Sequence, residues 1–498
     1  MASTFINARS IAIIGGGPSG LVAAKYLSAE KAFDKIVEFE QRSSTGGIWN
    51  YTPDETNEDI FTIPQTSPAG GIDKPVWRPA KGKESLKTGH NHRSDDKVPS
   101  FISPLYERLE TNIPRSLMGF SDLNWPQDSQ LFPKHETALG YIQQYGEDVK
   151  HLVRVETQVV DVRPATDNKW LVKSVNVRSK TELEEIYDGV IVANGHFIVP
   201  FVPDIEGLKE WNEKYPGVVS HSKYFRKPDV FAGKKTIVIG NSASGLDISS
   251  QIAPLCTPPL LWSQKAAPHL QPAPDPSKLD LPPIAAFIPE SRSVRFENGR
   301  VESDIDAVVF CTGYFYSLPF LRNVSPSLIT DGSHVEHTYK HLFYAPNPTL
   351  SLVALPQRVI PFPVAEAQSA VLARVYAGRL PLPSTEEMQK WENDRIAEVG
   401  AGRDFHLLPF PKDAEYINEL SRWALSAPAK AGLENGGQGK VPPVWGKWEY
   451  WCRDNFAAIR RAFVARGDAR ASVRTLEELG FDFKEYLREK ESDEKARL

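Results

Sequence analysis

Two short glycine-rich segments carry the residue types in this chain that are best suited to chemistry. Gly15-x-Gly17-x-x-Gly20 follows the apolar run Ile11-Ala12-Ile13-Ile14, and Gly240-Asn241-Ser242-Ala243-Ser244-Gly245 follows Thr236-Ile237-Val238-Ile239. A helix that begins directly after such a turn offers unpaired N–H groups and a partial positive charge, which suits a pyrophosphate. In the first turn Gly15 permits the tight bend, Gly17 lets backbone approach the phosphates, and Gly20 lets helix pack on strand. Ser19 belongs to the same phosphate-binding set. Glu40 ends the run Ile36-Val37-Glu38-Phe39, twenty positions after Gly20, where a carboxylate can hold ribose hydroxyls. Strand, glycine turn, helix and acid in register predict a dinucleotide site.

The second turn is less regular, because Ser242 stands where the middle glycine is expected, while Gly240, Ser244 and Gly245 keep the frame. Its second-strand tip, Leu260-Leu261-Trp262-Ser263-Gln264-Lys265, contains no acid, and Lys265 falls twenty positions after Gly245. A carboxylate there would repel a 2′-phosphate, whereas Ser263, Gln264 and Lys265 could bind one, which favours NADP over NAD. The competing reading of Lys265 is a solvated surface lysine.

The elements that must position these turns also come in pairs. Asp188-Gly-Val-Ile-Val-Ala-Asn-Gly195 matches Asp306-Ala-Val-Val-Phe-Cys-Thr-Gly313, each with an Asp seven positions before a Gly and an apolar strand between. Both aspartates are read as turn residues that start strands. The expected fold is α/β, with two Rossmann-like dinucleotide-binding units, the NADP unit nested within the FAD unit. The boundaries are 1–203 and 307–498 for the FAD unit, with a helical C-terminal region, and 204–306 for the NADP unit. The chain leaves the first unit near Val199-Pro200 and returns near Gly313-Tyr314. Pro53 to Ser100 reads as a long polar excursion, mobile around Lys81 to Lys97, and Pro268 to Pro283 as an extended surface connection. Ser384-Thr-Glu-Glu387 has the form of a capping box, and Trp423, Trp445, Trp448 and Trp451 are expected to pack C-terminal helices onto the body.

Composition narrows the function. The 498 residues suffice for two or three domains, and 41% hydrophobic with 24% charged residues is ordinary for a soluble protein. A net charge of -5 argues against nucleic acid as a partner. The apolar stretch Ile11 to Leu27 is broken by the glycine turn, and no other run is long enough to span a bilayer, so no integral membrane association is expected. Cys256, Cys311 and Cys452 form neither a disulfide framework nor a CxxC pair. That points to a reducing, cytoplasmic setting and disfavours a disulfide reductase. Assembly into a homo-oligomer is compatible with the sequence.

Further motifs carry a resemblance. Tyr215-x-Gly217-x-x-x-His221-x-x-x-Phe225, Gly46-Gly47-Ile48-Trp49, Tyr106-x-x-Leu109-x-Thr111-Asn112-x-Pro114, and Tyr339-Lys340-His341-Leu342-Phe343 before Pro348-Thr349-Leu350 follow one another in order. From about Ser10 to Ser384 the chain resembles the flavin-containing monooxygenases, in a soluble, fungal-type form without a hydrophobic C-terminal anchor. Tyr215 replaces the family's Phe, and Ser242 its middle glycine. The resemblance implies an FAD- and NADPH-dependent enzyme that adds oxygen to a soft nitrogen or sulfur nucleophile through a C4a-hydroperoxyflavin. Its partners are then a small-molecule substrate and O2, with no metal, because the cofactor carries the hard step. It further implies FAD contacts from Gly47, Trp49 and Thr111, and a catalytic Asn112 beside the flavin edge. The competing reading is that Thr111 or Asn112 caps a short helix starting near Pro114. Gln357 and Gln368 fall in a segment that approaches the flavin in the family. Gln368 is expected either on the isoalloxazine or on a helix surface. His221 is expected to orient the two units. Phe225-Arg226, where Baeyer–Villiger enzymes carry Trp and then Pro or Asp, argues against ketone-to-ester chemistry. The rival readings are an NADPH oxidase that releases peroxide, a carbon-oxygenating tailoring enzyme, and a non-enzymatic nucleotide-binding redox sensor.

Overall fold

The computed structural model describes residues 4–53, 62–68, 71–79, 97–266 and 275–496. The expected mobility around residues 81–96 lies outside the described residues. Val76–Pro79 and Lys97–Ser100, which flank that stretch, pair antiparallel.

Apolar β-rich runs that cannot face water on either side build the parallel centres of two sheets. The larger has seven strands, in the order Thr338–Tyr339, Phe343–Tyr344, Leu350–Leu352, Gly189–Val192, Ser10–Ile14, Lys35–Phe39, Val153–Arg154. Its five strands from Leu350–Leu352 onward run parallel. Alternate side chains divide between two cores. Ile11, Ile13 and Ile191 face a core that includes the helices Pro18–Ala29 and Pro361–Tyr376, while Ala12, Ile14 and Val192 face Trp170 and Tyr187 of an antiparallel meander. The second sheet has five parallel strands, in the order Val219–His221, Ala307–Phe310, Thr236–Ile239, Leu260–Ser263, Lys278–Leu281. It too is covered on both faces, Ile237 and Val308 on one side and Val238 and Val309 on the other.

The two units repeat each other atom for atom at the turn. Gly15 N donates to Phe39 O at 2.8 Å and Gly240 N to Ser263 O at 2.9 Å. Ala193 N donates to Ile14 O at 2.8 Å, and Cys311 N to Ile239 O at 2.7 Å. Asp188 accepts from the amides of Arg9 and Ser10, and Asp306 from the amide of Lys235, so each aspartate fastens the start of the central strand to that of the closing strand. The strand-starting reading of both holds.

Two expectations are corrected. Strand Ala307–Phe310 sits in the interior of the second sheet, paired to Thr236–Ile239, so an end at Asp306 cuts off the closing strand of the nested unit. The connection Pro268–Pro283 contains the edge strand Lys278–Leu281, because Leu279 and Leu281 pair with Leu261 and Ser263. The chain does cross between the sheets where expected: Val199–Pro200 pairs antiparallel with Tyr314–Phe315.

The C-terminal third is helical. Ser384 caps the helix Thr385–Val399 reciprocally, its hydroxyl accepting from Glu387 N at 3.3 Å while Glu387 accepts from Ser384 N at 2.9 Å. Trp445 and Trp451 are buried in the core of the large sheet, with Trp423 and Trp448 packed against it. Among the described residues no helix is long and apolar enough to cross a membrane.

In both units the turn helix touches its own strand through glycine. A Cβ on Gly245 would overlap the carbonyl oxygen of Gly240, as one on Gly20 would overlap that of Gly15. Gly245→Ala is therefore expected to lower stability by at least ~2–3 kcal/mol. A denaturant midpoint unchanged from wild type would show that this contact does not fix the helix.

Candidate functional site: two dinucleotide turns and the segment between them

The helix Pro18–Ala29 has Gly17 at its N-cap and no side-chain cap, with Pro18 as its first residue. Leu21 N already bonds Gly17 O, which leaves the amides of Ser19 and Gly20 as the unclaimed donors of the first turn. The helix Ala243–Ile252 likewise has Ser242 at its N-cap without a side-chain cap bond. Leu246 N bonds Ser242 O at 2.9 Å, leaving Ala243, Ser244 and Gly245 amides to a ligand. Helices His135–Tyr145 and Pro361–Tyr376 also start without a side-chain cap, so what sets these two starts apart is the glycine-rich turn that follows a buried strand. Two open mouths on buried sheets are anion receptors.

The first turn is built closely. A Cβ on Gly15 would stand 2.5 Å from Ala193 O. The loop Gly46–Trp49 docks on it through Gly46 N to Gly16 O at 2.8 Å, and Gly17 faces only Gly47, whose Cα would be 3.5 Å from an added Cβ. Glu40 is buried, its carboxylate accepting from Gly16 N at 2.9 Å and Arg42 N at 2.8 Å. These bonds hold the acid at the strand tip, beside the turn. The uncapped amides, the side-chain-free surface at Gly17 and Gly47, and this acid fit a dinucleotide.

Glu38, two residues earlier, was not singled out in the sequence. It is fully buried, neither carboxyl oxygen has a hydrogen-bond partner, and a Cβ on Gly20 would stand 2.7 Å from its Oε1. Burial, with the Glu40 carboxylate adding to it, holds Glu38 well above the usual carboxylate range. A Glu at a position that pairs with Ile13 of a central buried strand is the signal that could have marked it.

The second turn carries its own corrections. Ser263 is buried and its hydroxyl donates to Pro282 O at 3.1 Å, so it does not face a phosphate. Gln264 is spent between Asn241 Nδ2 at 3.0 Å and Asp280 Oδ1 at 2.7 Å. Lys265 is exposed at the tip.

Residues 103–113 join the two turns. Ser103 Oγ donates to Ile48 O, in the loop docked on the first turn. The Tyr106 hydroxyl donates to Asp247, on the helix of the second turn, and its ring packs edge-on against Phe225 at 5.1 Å. Thr111 N donates to Pro133 O at 2.8 Å and its hydroxyl to Ile113 O at 3.0 Å. Asn112 is exposed. The short helix Arg115–Met118 has Pro114 at its N-cap and no side-chain cap, so the capping alternative for Thr111 and Asn112 is set aside.

His221 is buried at the crossing. Its Nδ1 accepts from Lys223 N at 3.1 Å, so Nε2 carries the proton and donates to Gly313 O at 3.0 Å. Burial pushes its pKa down to about 3, which keeps the ring neutral. Arg226, also buried, donates to the carbonyls of Leu105, Lys223 and Phe225. Gln368 is neither on a helix surface nor free: it is buried, Oε1 accepts from Ala354 N at 2.8 Å, and Nε2 donates to Tyr416 Oη at 2.9 Å. Gln357 Nε2 donates to Tyr316 Oη at 2.9 Å.

A chain with two dinucleotide turns on nested parallel sheets belongs to the two-dinucleotide flavoproteins. The model of the flavin-binding monooxygenase-like family matches residues 82–268 and 284–430, and that of the NAD(P)-binding Rossmann-like domain residues 13–78. The chain is 34% identical over 447 residues to flavin-containing monooxygenase FMO GS-OX3 of Arabidopsis thaliana, covering 84% of this chain and 86% of that one. Its fold superposes on the S-allyl-L-cysteine S-oxygenase of Allium sativum with TM-score 0.74, at 27% identity, over 95% of this chain and 97% of that one. It also superposes on Tmm of Pelagibacter sp. strain HTCC7211, with TM-score 0.68 at 22% identity over 91% and 90% of the two chains, a likeness of fold. The protein is a member of the flavin-containing monooxygenase family, and its cofactors are FAD and NADPH.

Two variants test the first turn. Gly17→Leu is expected to yield colourless protein, because the side chain fills the space facing Gly47; a full flavin spectrum in the purified variant would refute the assignment. Glu38→Gln is expected to stabilise the protein increasingly as pH rises. Below the ordinary carboxylate pKa both folded and unfolded forms hold the proton. Above it the unfolded chain ionises first, and wild type loses stability until the folded-state pKa is passed. Denaturant titrations at about pH 5 and about pH 8 read this directly, and equal gains at both would contradict it.

Proposed function

We propose that this protein is an NADPH-dependent S-oxygenase of a small thioether. The observation that carries the reading is the bridge of residues 103–113, which ties two open, uncapped dinucleotide turns together and on which Asn112 is exposed. Sulfur rather than nitrogen is supported by the likeness to an S-oxygenase along nearly the whole chain.

FAD is assigned to the first turn, with the amides of Ser19 and Gly20 on the pyrophosphate, Glu40 on the ribose, and Gly47, Trp49 and Thr111 lining the flavin side. NADPH is assigned to the second turn, with Ser242, Ser244 and Gly245 on the pyrophosphate and Lys265 on the 2′-phosphate. When bound, the nicotinamide supplies two electrons and the flavin activates O2. The residues of this chain bind, orient and exclude water. Asn112, exposed on the bridge, would be the residue whose amide meets the flavin's reacting edge. Neutral His221 and Arg226 hold the two units in register and exchange no proton with substrate.

The reading is tested by incubating purified protein with NADPH and an alkyl cysteine thioether, and measuring O2, NADPH and sulfoxide together. Equal consumption with one sulfoxide per NADPH is expected. Stoichiometric H2O2 without sulfoxide would replace the reading with an oxidase. Asn112→Ala is expected to cut sulfoxide formation by about 10²-fold while flavin content holds. Lys265→Ala is expected to lower the kcat/KM preference for NADPH over NADH by about tenfold, the scale of one charge-assisted hydrogen bond.

A further inference from the structure

The C-terminal helix Phe456–Ala465 and the turn Gly467–Ser472 that follows lie outside the matched family segments, which end at residue 430. They nevertheless reach both nucleotide units. Arg460 stands with Nη1 3.8 Å from Glu110 Oε2 and Nη2 3.9 Å from Asp247 Oδ1. Asp247 lies two residues after Gly245 on the second turn helix and accepts from Tyr106. Glu110 lies two residues before Asn112. Arg470 Nε binds the same Glu110 carboxylate at 3.1 and 3.2 Å, and Gln130 Nε2 donates to it at 3.1 Å. The Arg460 guanidinium is itself fixed against Phe132 at 4.9 Å and Phe463 at 5.5 Å. Backbone bonds complete the contact: Leu131 N donates to Val473 O at 2.8 Å, and Arg115 N to Leu131 O at 2.8 Å.

We infer that Arg460 is a positioning residue that couples the seating of the second dinucleotide unit to the placement of Asn112. It is the cation shared by two carboxylates, one on the second turn helix and one on the loop that carries the proposed catalytic amide. With little of its side chain exposed, at 16%, and its two acids at 11% and 29%, solvent screens the triad less than a surface pair. Removing the cation leaves Glu110 with Arg470 and Gln130, and leaves Asp247 with the hydrogen bonds of Tyr106 and Gln251 and the charge of Lys278. The loop and the helix then keep the Tyr106 hydrogen bond between them but lose the charge they share. A displacement of Asn112 on the scale of one ångström is enough to impair chemistry without touching either cofactor. Other titratable groups facing this cluster are Tyr106, Lys278, Cys311 and, on the same C-terminal segment, Arg470.

The inference rests on the monooxygenase reading and on the role of Asn112. The experiment compares wild type, Arg460→Met, Arg460→Lys and Arg470→Met as flavin-loaded proteins. Three readouts are taken: hydrogen exchange over residues 105–113, NADP affinity by flavin fluorescence, and the fraction of NADPH electrons lost to H2O2. Arg460→Met is expected to speed exchange over the segment, weaken NADP binding by about tenfold, and raise the peroxide fraction at an almost unchanged KM for the thioether. Arg460→Lys is expected to restore part of all three, because the charge is kept. Arg470→Met, which removes the cation that touches Glu110 alone, is expected to speed exchange but to leave NADP affinity as in wild type. Should Arg460→Met fail to fold, the Lys and Arg470 variants decide. Wild-type exchange and NADP affinity in Arg460→Met, or an NADP affinity lowered equally by Arg470→Met, would overturn the coupling. If wild type itself forms no sulfoxide, the functional reading fails, while the exchange and affinity readouts still judge the coupling.

Discussion

Each half of this protein depends on a contact between two stretches of bare backbone. The amide-rich start of a helix lies so close to the strand before it that the carbonyl of Gly15 or Gly240 occupies the place of a side chain. The same strand tip presses on the closing strand, at Ala193 O in one unit and Cys311 O in the other. Nothing but glycine fits, and nothing caps the helix, since a capping side chain would occupy the amides meant for a phosphate. The remaining order follows from that constraint. Parallel strands must be buried on both faces, so helices and a meander cover the first sheet. The closing strands must return beside the central ones, so the second unit is nested and its chain crosses in and out through one antiparallel pair, Val199–Pro200 with Tyr314–Phe315.

That constraint explains what could be read in the sequence. The turns, the aspartates that fasten the strand starts and the nesting are local patterns that occur twice in one frame, and they were legible. Glu40 was legible for the same reason, at a fixed interval from its turn. Contacts made by folding distant segments together were not. Tyr106 and Asp247 are 141 residues apart, and Arg470 and Glu110 are 360 apart. In the sequence Asp247 is one more acid on a helix, and Arg460 one more base. Ser263 and Gln368 mislead in the opposite sense. Their types suit a ligand, but the fold turns both inward, where a carbonyl, an amide and a phenol engage their polar atoms. Spacing reveals the strand a residue stands on, whereas the face it turns to depends on neighbours that spacing does not name.

Glu38 and Glu40 show the same point within one strand. Both are buried acids on the central edge of the first unit, two residues apart. Glu40 reaches the strand tip, where backbone amides hold its charge. Glu38 stays beneath the turn helix with no hydrogen-bond partner, and burial holds its carboxyl well above the usual carboxylate range. Identical chemistry is placed at the mouth in one case and left as a cost in the other, because only the tip exposes backbone N–H groups to a carboxylate.

The nested unit is tied to its host at the crossing strands and along residues 105–108, and each tie constrains how the two dinucleotides face each other. His221 and Arg226 act at the crossing through carbonyls, so their bonds set orientation whatever the state of the turns. Arg460 acts elsewhere, on the second turn helix and on the bridge between the turns, through charges alone. A bond at the hinge and a charge contact at the far side play different parts. The first fixes an axis, and the second selects a position along the remaining freedom. The helical extension beyond the nucleotide folds thus carries one guanidinium to a place where the second turn helix and the bridging loop each present a carboxylate within reach.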